Sequence, residues 1–498
     1  MTNQTLPQNL KGVHIHFVGI KGTGMAALVE ILHHNGAIIT GSDVSEIFYT
    51  DQILERLGLK ALPFSEENIT DSIQYVVYSS AYKLDKNPDL IAACKKGIPC
   101  LLYNEALGSY SALSYSCGIC GVHGKTSTTG ITGTILKEID LPSQVLAGSI
   151  INSFGGTCTY TSPLISNDKK NIFVAETCEY QRHFMAFSPQ KIILTSVEPD
   201  HQDFYPTYES IRDAFVDYAC KLPENGDLIY CADDKGAVEV SEIVSKKRPD
   251  INLIPYGEQA DDDFHLTFAG VKNEKNCFSL NLFKNKVLYL KVPGQHEVRD
   301  AVAAVALVVQ LLKSNNKNPL DYVENIQRGL ENFNGGKRRS EVIGSATTKS
   351  GNSVVVIDDY GHHPTAIRTT LAGYKEFYKG RKIIVDFMSH TYSRTQALLN
   401  EFASSFSSAD TVILHKIYSS ARENPADFSI NGKTLFEETL KYNSHVVYFE
   451  EVLDATDFVL RELDKNLDSY KYPDGYLFIT MGAGDNWKLG KAVLEKLK

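Results

Sequence analysis

Apolar runs alternate with helical patterns along the first hundred residues of the chain. A strand pattern over residues 13–18 is followed by a glycine-rich turn and a helical pattern over residues 25–33. Two further strand patterns, over residues 38–40 and 73–78, continue the alternation. Strands that alternate with helices are typical of a parallel sheet with helices on its faces. We therefore predict an α/β unit at the start of the chain.

Two more stretches of the chain show the same alternation. Strand patterns over residues 172–175, 192–196 and 228–231 belong to a second stretch, which ends after an apolar helical pattern over residues 298–312. A third stretch has five strand patterns, over residues 353–357, 382–387, 411–414, 446–449 and 476–480. We therefore predict an α/β protein of three domains, which span residues 1–108, 109–333 and 334–498.

A short glycine-rich and basic run connects the second stretch to the third. It covers residues 334–339 and contains Gly335 and Gly336 followed by Lys337, Arg338 and Arg339. Glycine gives the backbone freedom where two units meet, so the run is interpreted as a hinge. An ordinary surface turn with a solvated basic run is the alternative.

The composition narrows the class of protein. With 43% hydrophobic and 22% charged residues, the 498-residue chain is typical of a soluble globular protein. Its formal net charge of −10 argues against a nucleic-acid partner. The longest apolar run, residues 301–312, falls short of the about 20 residues that a membrane span needs, so no membrane insertion is expected.

The cysteines indicate the cellular compartment. There are nine, an odd number, and none follows Cys277. The first ten residues are polar and lack the apolar segment of a signal peptide. Reduced thiols in a cytoplasmic protein are therefore expected. Cys117 and Cys120 have the spacing of a redox or metal pair, but without a second pair they are interpreted as small packing residues.

The strongest chemical signal is a short loop between an apolar run and a helical pattern. Its residues are Gly121, Val122, His123, Gly124, Lys125, Thr126 and Ser127. Backbone N–H groups of such a loop, with the N-terminus of the helix, surround phosphate groups. Lys125 can reach the terminal phosphates, and the Thr126 hydroxyl can hold magnesium. Only two residues separate Gly121 from Gly124, which departs from the common phosphate loop, but the strand–loop–helix context still favours nucleotide binding over a chance turn.

A second glycine motif directly follows the first strand pattern. Gly22, Thr23 and Gly24 open a helical pattern, and Asp43 ends the second strand pattern about 20 residues later, as in the dinucleotide-binding fingerprint. The same geometry binds the pyrophosphate of any nucleoside diphosphate at a helix N-terminus. The motif alone therefore leaves a nicotinamide or flavin cofactor and a nucleoside diphosphate as alternatives.

Polar side chains also gather at predicted strand ends in the second and third stretches. Glu176 and His201 follow neighbouring strand patterns and are candidate magnesium ligands, although each alone fits a capping or packing role. In the third stretch, residues 358–364 bring two acids and two histidines to a strand end, and His390 and Arg394 follow the next strand. Because buried polar groups are costly without partners, these two strand ends favour a substrate site over a polar sheet rim.

Taken in order over nearly the whole chain, these motifs resemble the Mur ligases, the ATP-dependent amide-forming enzymes of peptidoglycan precursor synthesis. The matching segments are residues 19–25, 41–43, 79–81, 121–126, 198–201, 293–296, 358–365, 389–395 and 482–484. The short phosphate loop is the family's own, and the segment over residues 358–365 is the most specific match. The resemblance implies a Rossmann-like N-terminal domain that binds UDP, a central ATPase-like domain with a parallel sheet and a phosphate loop, and a Rossmann-like C-terminal domain.

The resemblance also implies a reaction and its participants. ATP and Mg²⁺ would serve as cofactors, UDP-N-acetylmuramate and L-alanine as substrates, and the enzyme would be a cytoplasmic monomer or homodimer. The lactyl carboxylate of the sugar would attack the γ-phosphate of ATP and form an acyl phosphate, which the amine of L-alanine would then displace.

The roles that the resemblance assigns to residues fall into four groups. Catalytic roles go to Lys125, His362, His363 and Arg394. ATP-binding roles go to Gly121, Val122, His123, Gly124, Lys125, Thr126, Ser127, His296, Arg339 and Asp359. Substrate-binding roles go to Gly22, Thr23, Gly24, Asp43, Ser79, Ser80, His390 and Arg394. Magnesium-binding roles go to Thr126, Glu176 and His201.

The chain departs from the family pattern at five positions, and other readings stay open. The positions are Lys21, Glu297, Asp300, Ser389 and Thr391, where the family usually has glycine, asparagine, asparagine, proline and arginine. The alternatives within the fold are a murein peptide ligase of peptide recycling and a folate ligase. An NAD-dependent oxidoreductase would use the first glycine motif but leave the phosphate loop unexplained. A non-catalytic nucleotide sensor would require that the departures abolished turnover.

Overall fold

The N-terminal unit is a four-stranded parallel sheet with strand order β2-β1-β3-β4. The structure is a computed structural model, and it describes residues 5–166, 170–284, 286–419 and 423–498. The unit contains β1 (His14–Val18), α1 (Thr23–His34), β2 (Ile38–Ser42), α2 (Asp51–Arg56), β3 (Tyr75–Tyr78), α3 (Pro88–Lys95), β4 (Cys100–Leu102) and α4 (Tyr103–Leu113). α1 is buried over most of its surface because it packs against its own sheet and against the central unit.

The central unit is built on a seven-stranded sheet with strand order β11-β10-β9-β5-β8-β6-β7, in which only β7 is antiparallel to its neighbour. A small antiparallel sheet of β12, β13 and β14 follows. The elements are β5 (Tyr115–Cys120), α5 (Lys125–Lys137), β6 (Ser143–Ile151), β7 (Thr157–Thr161), β8 (Ile172–Glu176), β9 (Lys191–Leu194), α6 (Tyr208–Ala219), β10 (Asp227–Cys231), α7 (Lys235–Lys247), β11 (Asn252–Tyr256), β12 (Leu266–Lys272), β13 (Lys275–Leu280), β14 (Leu288–Leu290), α8 (Gln295–Ser314) and α9 (Val323–Asn332).

The C-terminal unit is a six-stranded sheet with strand order β15-β16-β20-β17-β18-β19. All pairs are parallel except β15 with β16. The elements are β15 (Glu341–Thr347), β16 (Ser353–Asp359), α10 (Pro364–Phe377), β17 (Arg381–Phe387), α11 (Tyr392–Ala397), α12 (Leu399–Ser404), β18 (Thr411–Leu414), α13 (Gly432–Thr439), β19 (Val446–Tyr448), α14 (Thr456–Leu463), β20 (Gly475–Met481) and α15 (Trp487–Leu497).

Two buried helices position the phosphate loop. α8 is apolar all round, and every residue from Ala301 to Val309 has an exposure of 0%, as expected of a helix in the interior of a large unit. α5 packs against α8 and is buried from Thr126 to Leu136. Threonine and glycine, which favour helices little, make up much of α5. Tertiary packing therefore holds this helix and the loop at its start.

The predicted α/β architecture with parallel sheets is confirmed, and the bounds of some elements differ from prediction. β16 extends through Asp358 and Asp359, which the sequence places after the strand. These two residues pair in register with Thr480 and Met481 of β20, and this pairing extends the strand. The antiparallel edge strands β7 and β15 and the small sheet β12–β14 are further additions to the prediction.

The proposed first boundary, 108/109, falls within α4. Gly108 of this helix packs so closely on the backbone of Ala186 that a Cβ there would lie 2.3 Å from the Ala186 carbonyl oxygen. α4 therefore joins the N-terminal unit to the central unit. Among the residues that the structure describes, no helix has both the length and the apolar character that a bilayer crossing requires.

The run over residues 334–339 is held from both sides. On the central side, Lys337 N donates to Ile150 O at 2.7 Å, and Asn152 N donates to Gly335 O at 3.2 Å. On the C-terminal side, the Arg338 guanidinium binds Asp358 at 2.9 Å and the carbonyl of Gly482 at 2.6 Å. Lys337 is thus bound to the central unit, and Arg338 is bound to the C-terminal unit. A hinge in this run would therefore rotate between these two residues.

Candidate active site

The phosphate loop is shaped by two glycines with left-handed backbone. It links β5 to α5, and φ is +134° at Gly121 and +78° at Gly124. A Cβ at Gly121 would lie 2.0 Å from the Thr195 hydroxyl, and one at Gly124 would lie 2.3 Å from the Asp300 carboxylate. The left-handed backbone and the lack of room for a Cβ atom therefore both require glycine at these two positions. The N-terminus of α5 faces the resulting hollow, as a phosphate site needs.

Lys125 lies in this hollow as part of a buried ion pair. Its Nζ lies 3.0 and 3.1 Å from the two carboxylate oxygens of Glu179 and donates to Gly121 O at 2.5 Å. Burial alone would lower the pKa of Lys125, but the Glu179 carboxylate outweighs burial and raises that pKa above its ordinary value. Lys125 is therefore a permanent cation at the centre of the loop.

The three candidate magnesium ligands lie around the same hollow but are not arranged as one group. The Thr126 hydroxyl donates to Glu176 Oε2 at 2.9 Å, and Gly148 N donates to the same oxygen at 2.8 Å. His201 Nε2 instead faces Glu179 Oε1, at 3.5 Å. A hydroxyl and two carboxylates are the hard oxygen donors that Mg²⁺ prefers. The donor set present here therefore fits the ion, and Glu179 joins it.

One cavity of about 420 Å³ brings the phosphate loop together with the C-terminal unit. Of the residues named from the sequence, its lining includes Val122, His123, Gly124, Lys125, Thr126, Ser127, Glu176, His201, His296, Arg339, Asp359, His362, His390 and Arg394. Residues more than 260 positions apart in the sequence thus line the same cavity. This convergence follows from the topology, because the ends of parallel strands from two sheets face the same space.

The C-terminal residues of this cavity are fixed by specific contacts. Asp359 accepts hydrogen bonds from Ser340 N at 2.7 Å and Gly361 N at 2.8 Å. His362 Nδ1 lies 3.1 Å from the carbonyl oxygen of Tyr360. Burial and then the charge of Arg394 hold the pKa of His362 well below its ordinary value. The imidazole is therefore neutral at pH 7.

His363 lies behind this cavity, beside the loop. Its side chain caps the N-terminus of α10 by accepting from Thr365 N at 3.4 Å, and its ring lies 5.0 Å from that of His123 between centroids. The catalytic role that the resemblance gives to His363 stays a prediction. Its position indicates contact with the phosphate loop from the C-terminal side.

The predicted substrate residues of the N-terminal unit lie apart from this cavity. Gly22, Thr23 and Gly24 form the start of α1, as the glycine motif predicts. Asp43 accepts from Lys21 N at 2.7 Å and from the Tyr82 hydroxyl at 3.1 Å. Within the described residues, Asp43 thus supports the loop after β1. Ser79 and Ser80 follow β3 at the same edge of the sheet.

A second, smaller cavity lies between the N-terminal and central units. Its volume is about 150 Å³, and α4 lines it through Tyr103 and Leu107. His183 and Phe187 face it from the central unit. Glu176 lines both cavities. Glu176 therefore lies between the two cavities.

The two acids that depart from the family pattern are buried at the start of α8. Ser127 donates to Glu297 Oε1 at 2.9 Å. Burial raises the pKa of Glu297 to about 7, and it raises the pKa of Asp300 well above its ordinary value. Burial lowers the pKa of neighbouring His296 to about 4. Burial therefore disfavours negative charge on Glu297 and Asp300 in this wall of the cavity.

Sequence reasoning missed three acids of the site: Glu179, Glu198 and Asp200. Glu198 and Asp200 belong to the segment that resembles the family at residues 198–201, and the structure places both in the lining of the large cavity. Glu179 follows Glu176 by three residues in a loop, and its neighbours Gln181 and Arg182 have φ of +50° and +59°. Glu179 thus lies at the start of an irregular segment, and strand patterns could not reveal its contact with Lys125.

Three family models match consecutive parts of the chain. They are the catalytic domain of the Mur ligase family over residues 14–115, the Mur ligase middle domain over residues 119–308, and the glutamate ligase domain of Mur ligases over residues 338–483. The chain belongs to the Mur ligase family. The resemblance deduced from the sequence motifs is thereby confirmed.

The relatives of this Mur ligase match over its full length. A UDP-N-acetylmuramate–L-alanine ligase of Treponema pallidum is 46% identical over 100% of this chain and 99% of its own. The ligase of the same name from Borreliella burgdorferi is 39% identical over 96% of this chain and 97% of its own. Among solved structures, the UDP-N-acetylmuramate-alanine ligase of Thermotoga maritima has a TM-score of 0.73 at 23% identity and covers 97% of this chain and 98% of its own. The fold of this Mur ligase is thus the three-domain fold of that structure.

Proposed function

We propose that the protein ligates L-alanine to the lactyl carboxylate of UDP-N-acetylmuramate at the expense of ATP, as a step of peptidoglycan precursor synthesis. The names of the full-length relatives at 46% and 39% identity support these substrates. The observation in the structure that supports the reaction is the shared cavity, where Lys125 of the phosphate loop faces His362 and Arg394 of the C-terminal unit. Such a cavity can hold a phosphate donor and an amino-acid acceptor together.

The cations of the cavity suit the first chemical step. The lactyl carboxylate attacks the γ-phosphate of ATP, and an acyl phosphate and ADP result. The carboxylate and the polyphosphate repel each other, so fixed positive charge must lie between them. Lys125 supplies it from the central side, and Arg339 and Arg394 supply it from the C-terminal side.

We also propose a bound Mg²⁺ at this cavity. Thr126, Glu176, Glu179 and His201 would hold it, and the ion would neutralise charge on the phosphates when bound. The proposal rests on the oxygen donors of Thr126, Glu176 and Glu179 around Lys125, with the ring nitrogen of His201 beside Glu179.

A neutral histidine suits the second step, in which the amine of L-alanine displaces phosphate from the acyl phosphate. The amine must lose a proton to become a nucleophile. The carbonyl oxygen of Tyr360 can only accept, so His362 donates from Nδ1 and carries its lone pair on Nε2. With its pKa held low by burial and by Arg394, His362 is neutral at pH 7, and its Nε2 lone pair can accept a hydrogen bond from the amine.

The N-terminal unit would hold the UDP portion at the start of α1. The pyrophosphate would meet the backbone at Gly22, Thr23 and Gly24, and the sugar would extend past Glu176 towards the phosphate loop. Membership of the Mur ligase family decides against the NAD-dependent oxidoreductase that the first glycine motif left open. A cytoplasmic enzyme that is a monomer or a homodimer completes the proposal, and light scattering after gel filtration measures its mass in solution.

The test is phosphate release with ATP, Mg²⁺ and UDP-N-acetylmuramate, with the amino acceptor varied. We expect turnover with L-alanine, weaker turnover with glycine and L-serine, and only background with the murein tripeptide. Mass spectrometry of the product confirms the amide. Faster turnover with the tripeptide than with L-alanine would assign the protein to peptide recycling, and no release with any acceptor would favour a nucleotide sensor.

A further inference from the structure

Three potential metal ligands meet where the phosphate loop touches the C-terminal unit. They are His123 of the loop, Glu198 after β9, and His363 at the start of α10. One ligand atom of each lies within 4.8 Å of those of the other two. This trio is distinct from the magnesium ligands around Lys125, and the reaction proposed above does not require it as a group.

The three side chains face one another but form no hydrogen bonds among themselves. His123 Nε2 lies 3.8 Å from Glu198 Oε2, and His363 Nδ1 lies 3.9 Å from the same oxygen. Hydrogen bonds between nitrogen and oxygen are about 2.7–3.2 Å long. Of the two ring atoms that face Glu198, His123 Nε2 is buried and lacks a hydrogen-bond partner among the described residues, whereas His363 Nδ1 accepts from Thr365 N at 3.4 Å. Buried polar atoms without partners are rare and costly, so His123 Nε2 indicates a ligand at this cluster.

The donor set selects the kind of ligand. Two imidazole nitrogens and one carboxylate oxygen are a recurrent ligand set of Zn²⁺, with metal–ligand distances of about 2.0–2.2 Å. Around a tetrahedral ion such ligands lie about 3.3 Å apart, so each of the two nitrogen–oxygen distances must shorten by roughly half an ångström. Mg²⁺ prefers oxygen ligands and octahedral geometry, which this set does not offer.

A neighbouring hydroxyl orients the carboxylate of the cluster. The Thr365 hydroxyl donates to Glu198 Oε2 at 2.9 Å and orients the carboxylate, as outer hydrogen-bond partners do in metal sites. The side chains of His123 and Glu198 keep about a quarter of their surface exposed, 25% and 26%, so the cluster lies close to the protein surface.

We propose that His123, Glu198 and His363 form a binding site for a borderline divalent cation, Zn²⁺, that joins the C-terminal unit to the phosphate loop. Two ligands belong to the central unit and one to the C-terminal unit, so the bound ion links the two. Binding would hold α10 against the loop and restrict the separation of the units.

The experiment titrates Zn²⁺ into the metal-free full-length protein by calorimetry, with Mg²⁺ in excess so that oxygen sites are filled. Co²⁺, which reports tetrahedral coordination through its visible absorption, is titrated in parallel. Glu198→Gln and His363→Asn remove ligands, and Thr365→Val removes the hydroxyl that orients Glu198. His201→Asn serves as the control at the proposed magnesium site, and His445→Asn, at an exposed position, serves as the control for surface histidines.

We expect one Zn²⁺ per chain and a tetrahedral Co²⁺ spectrum in the wild type and in both controls. Affinity should fall on the order of 10–100-fold in Thr365→Val and at least as much in the two ligand variants. Circular dichroism shows whether His363→Asn folds, and the isosteric Glu198→Gln decides if it does not. Absence of Zn²⁺ binding by the wild type, or unchanged affinity in Glu198→Gln, would overturn the proposal, as would loss of binding in His201→Asn alone.

Discussion

Arg394 and Asp200 form a buried ion pair that connects the C-terminal unit to the central unit. Arg394 Nη2 lies 2.9 Å and Nε lies 3.3 Å from Asp200 Oδ1, and the two side chains are 8% and 5% exposed. Burial by itself would raise the pKa of Asp200, but the Arg394 guanidinium outweighs it and holds that pKa well below its ordinary range. A wall of the candidate active site is thus also a contact between units.

Arg394→Ala should loosen this contact and slow turnover together. The change leaves the Asp200 carboxylate buried without its partner, which typically costs about 3–5 kcal/mol. We expect a lower thermal midpoint and, in small-angle scattering, a larger radius of gyration. Asp200→Asn combined with Arg394→Gln should recover part of the stability, and Arg461→Ala, at an exposed position of the same unit, should change neither quantity. A normal midpoint and radius in Arg394→Ala would show that the pair does not join the units.

Lys125→Ala should abolish amide formation in a folded protein. The lysine places a permanent positive charge in the phosphate loop through its pair with Glu179. Loss of one well-placed cation from a transferring phosphate costs on the order of a thousandfold or more in rate. Phosphate release measures the loss, and Lys137→Ala at the exposed end of α5 is the matched control. Near-normal turnover in Lys125→Ala would exclude this loop as the ATP site.

Variants at the proposed magnesium site should raise the requirement for Mg²⁺. We expect Glu176→Ala, His201→Ala and Glu179→Gln each to increase the half-saturating Mg²⁺ concentration about 10–100-fold, because each loses a donor that faces the hollow around Lys125. Rates titrated against Mg²⁺ at constant ATP provide the measurement. Glu258→Gln, at an exposed position of the same unit, serves as the control. Unchanged titrations in Glu176→Ala and His201→Ala would assign both residues to packing.

The sequence predicts the parts of this site that local pattern determines. The phosphate loop needs glycine at Gly121 and Gly124 because the backbone there is left-handed and crowded. The glycines in the sequence therefore indicate the shape of the loop. The polar residues at strand ends converge because parallel strands direct their carboxyl ends to one edge. Such features can be predicted from a single amino-acid sequence.

Contacts between residues that are distant in the sequence cannot be predicted in this way. Arg394 and Asp200 are separated by 194 positions, and their contact depends on how two units pack. The partner of Lys125 depends on a loop whose backbone is irregular. The length of β16 depends on its pairing with β20, because Asp358 and Asp359 favour strands little by themselves. Tertiary packing determines these two contacts and the length of β16. The periodicity of a strand or helix pattern contains no information about such packing.

The buried acid Glu297 yields a prediction about stability and pH. Its Oε1 accepts from Ser127, whereas its Oε2 is buried and lacks a partner among the described residues. Burial raises the pKa of this carboxyl to about 7, whereas in the unfolded chain it is near 4.5. As the pH rises from 4.5 to 7, the unfolded state loses the proton and the folded state keeps it. The folded state is therefore penalised progressively across this window.

Glu297→Gln should remove that penalty without changing the volume of the side chain. At pH 4 the variant and the wild type should have similar free energies of unfolding, because the Glu297 carboxyl of the wild type is then mostly protonated in both the folded and the unfolded state. At pH 8 the variant should be more stable by about 2–3 kcal/mol, since Gln cannot ionise and can still accept from Ser127. Chemical denaturation at the two pH values measures the difference, and Glu437→Gln, at an exposed position, should show none. Equal stabilities of variant and wild type at pH 8 would mean that Glu297 ionises in the folded protein as readily as in water, so that burial beside Ser127 does not hold the proton on this carboxyl.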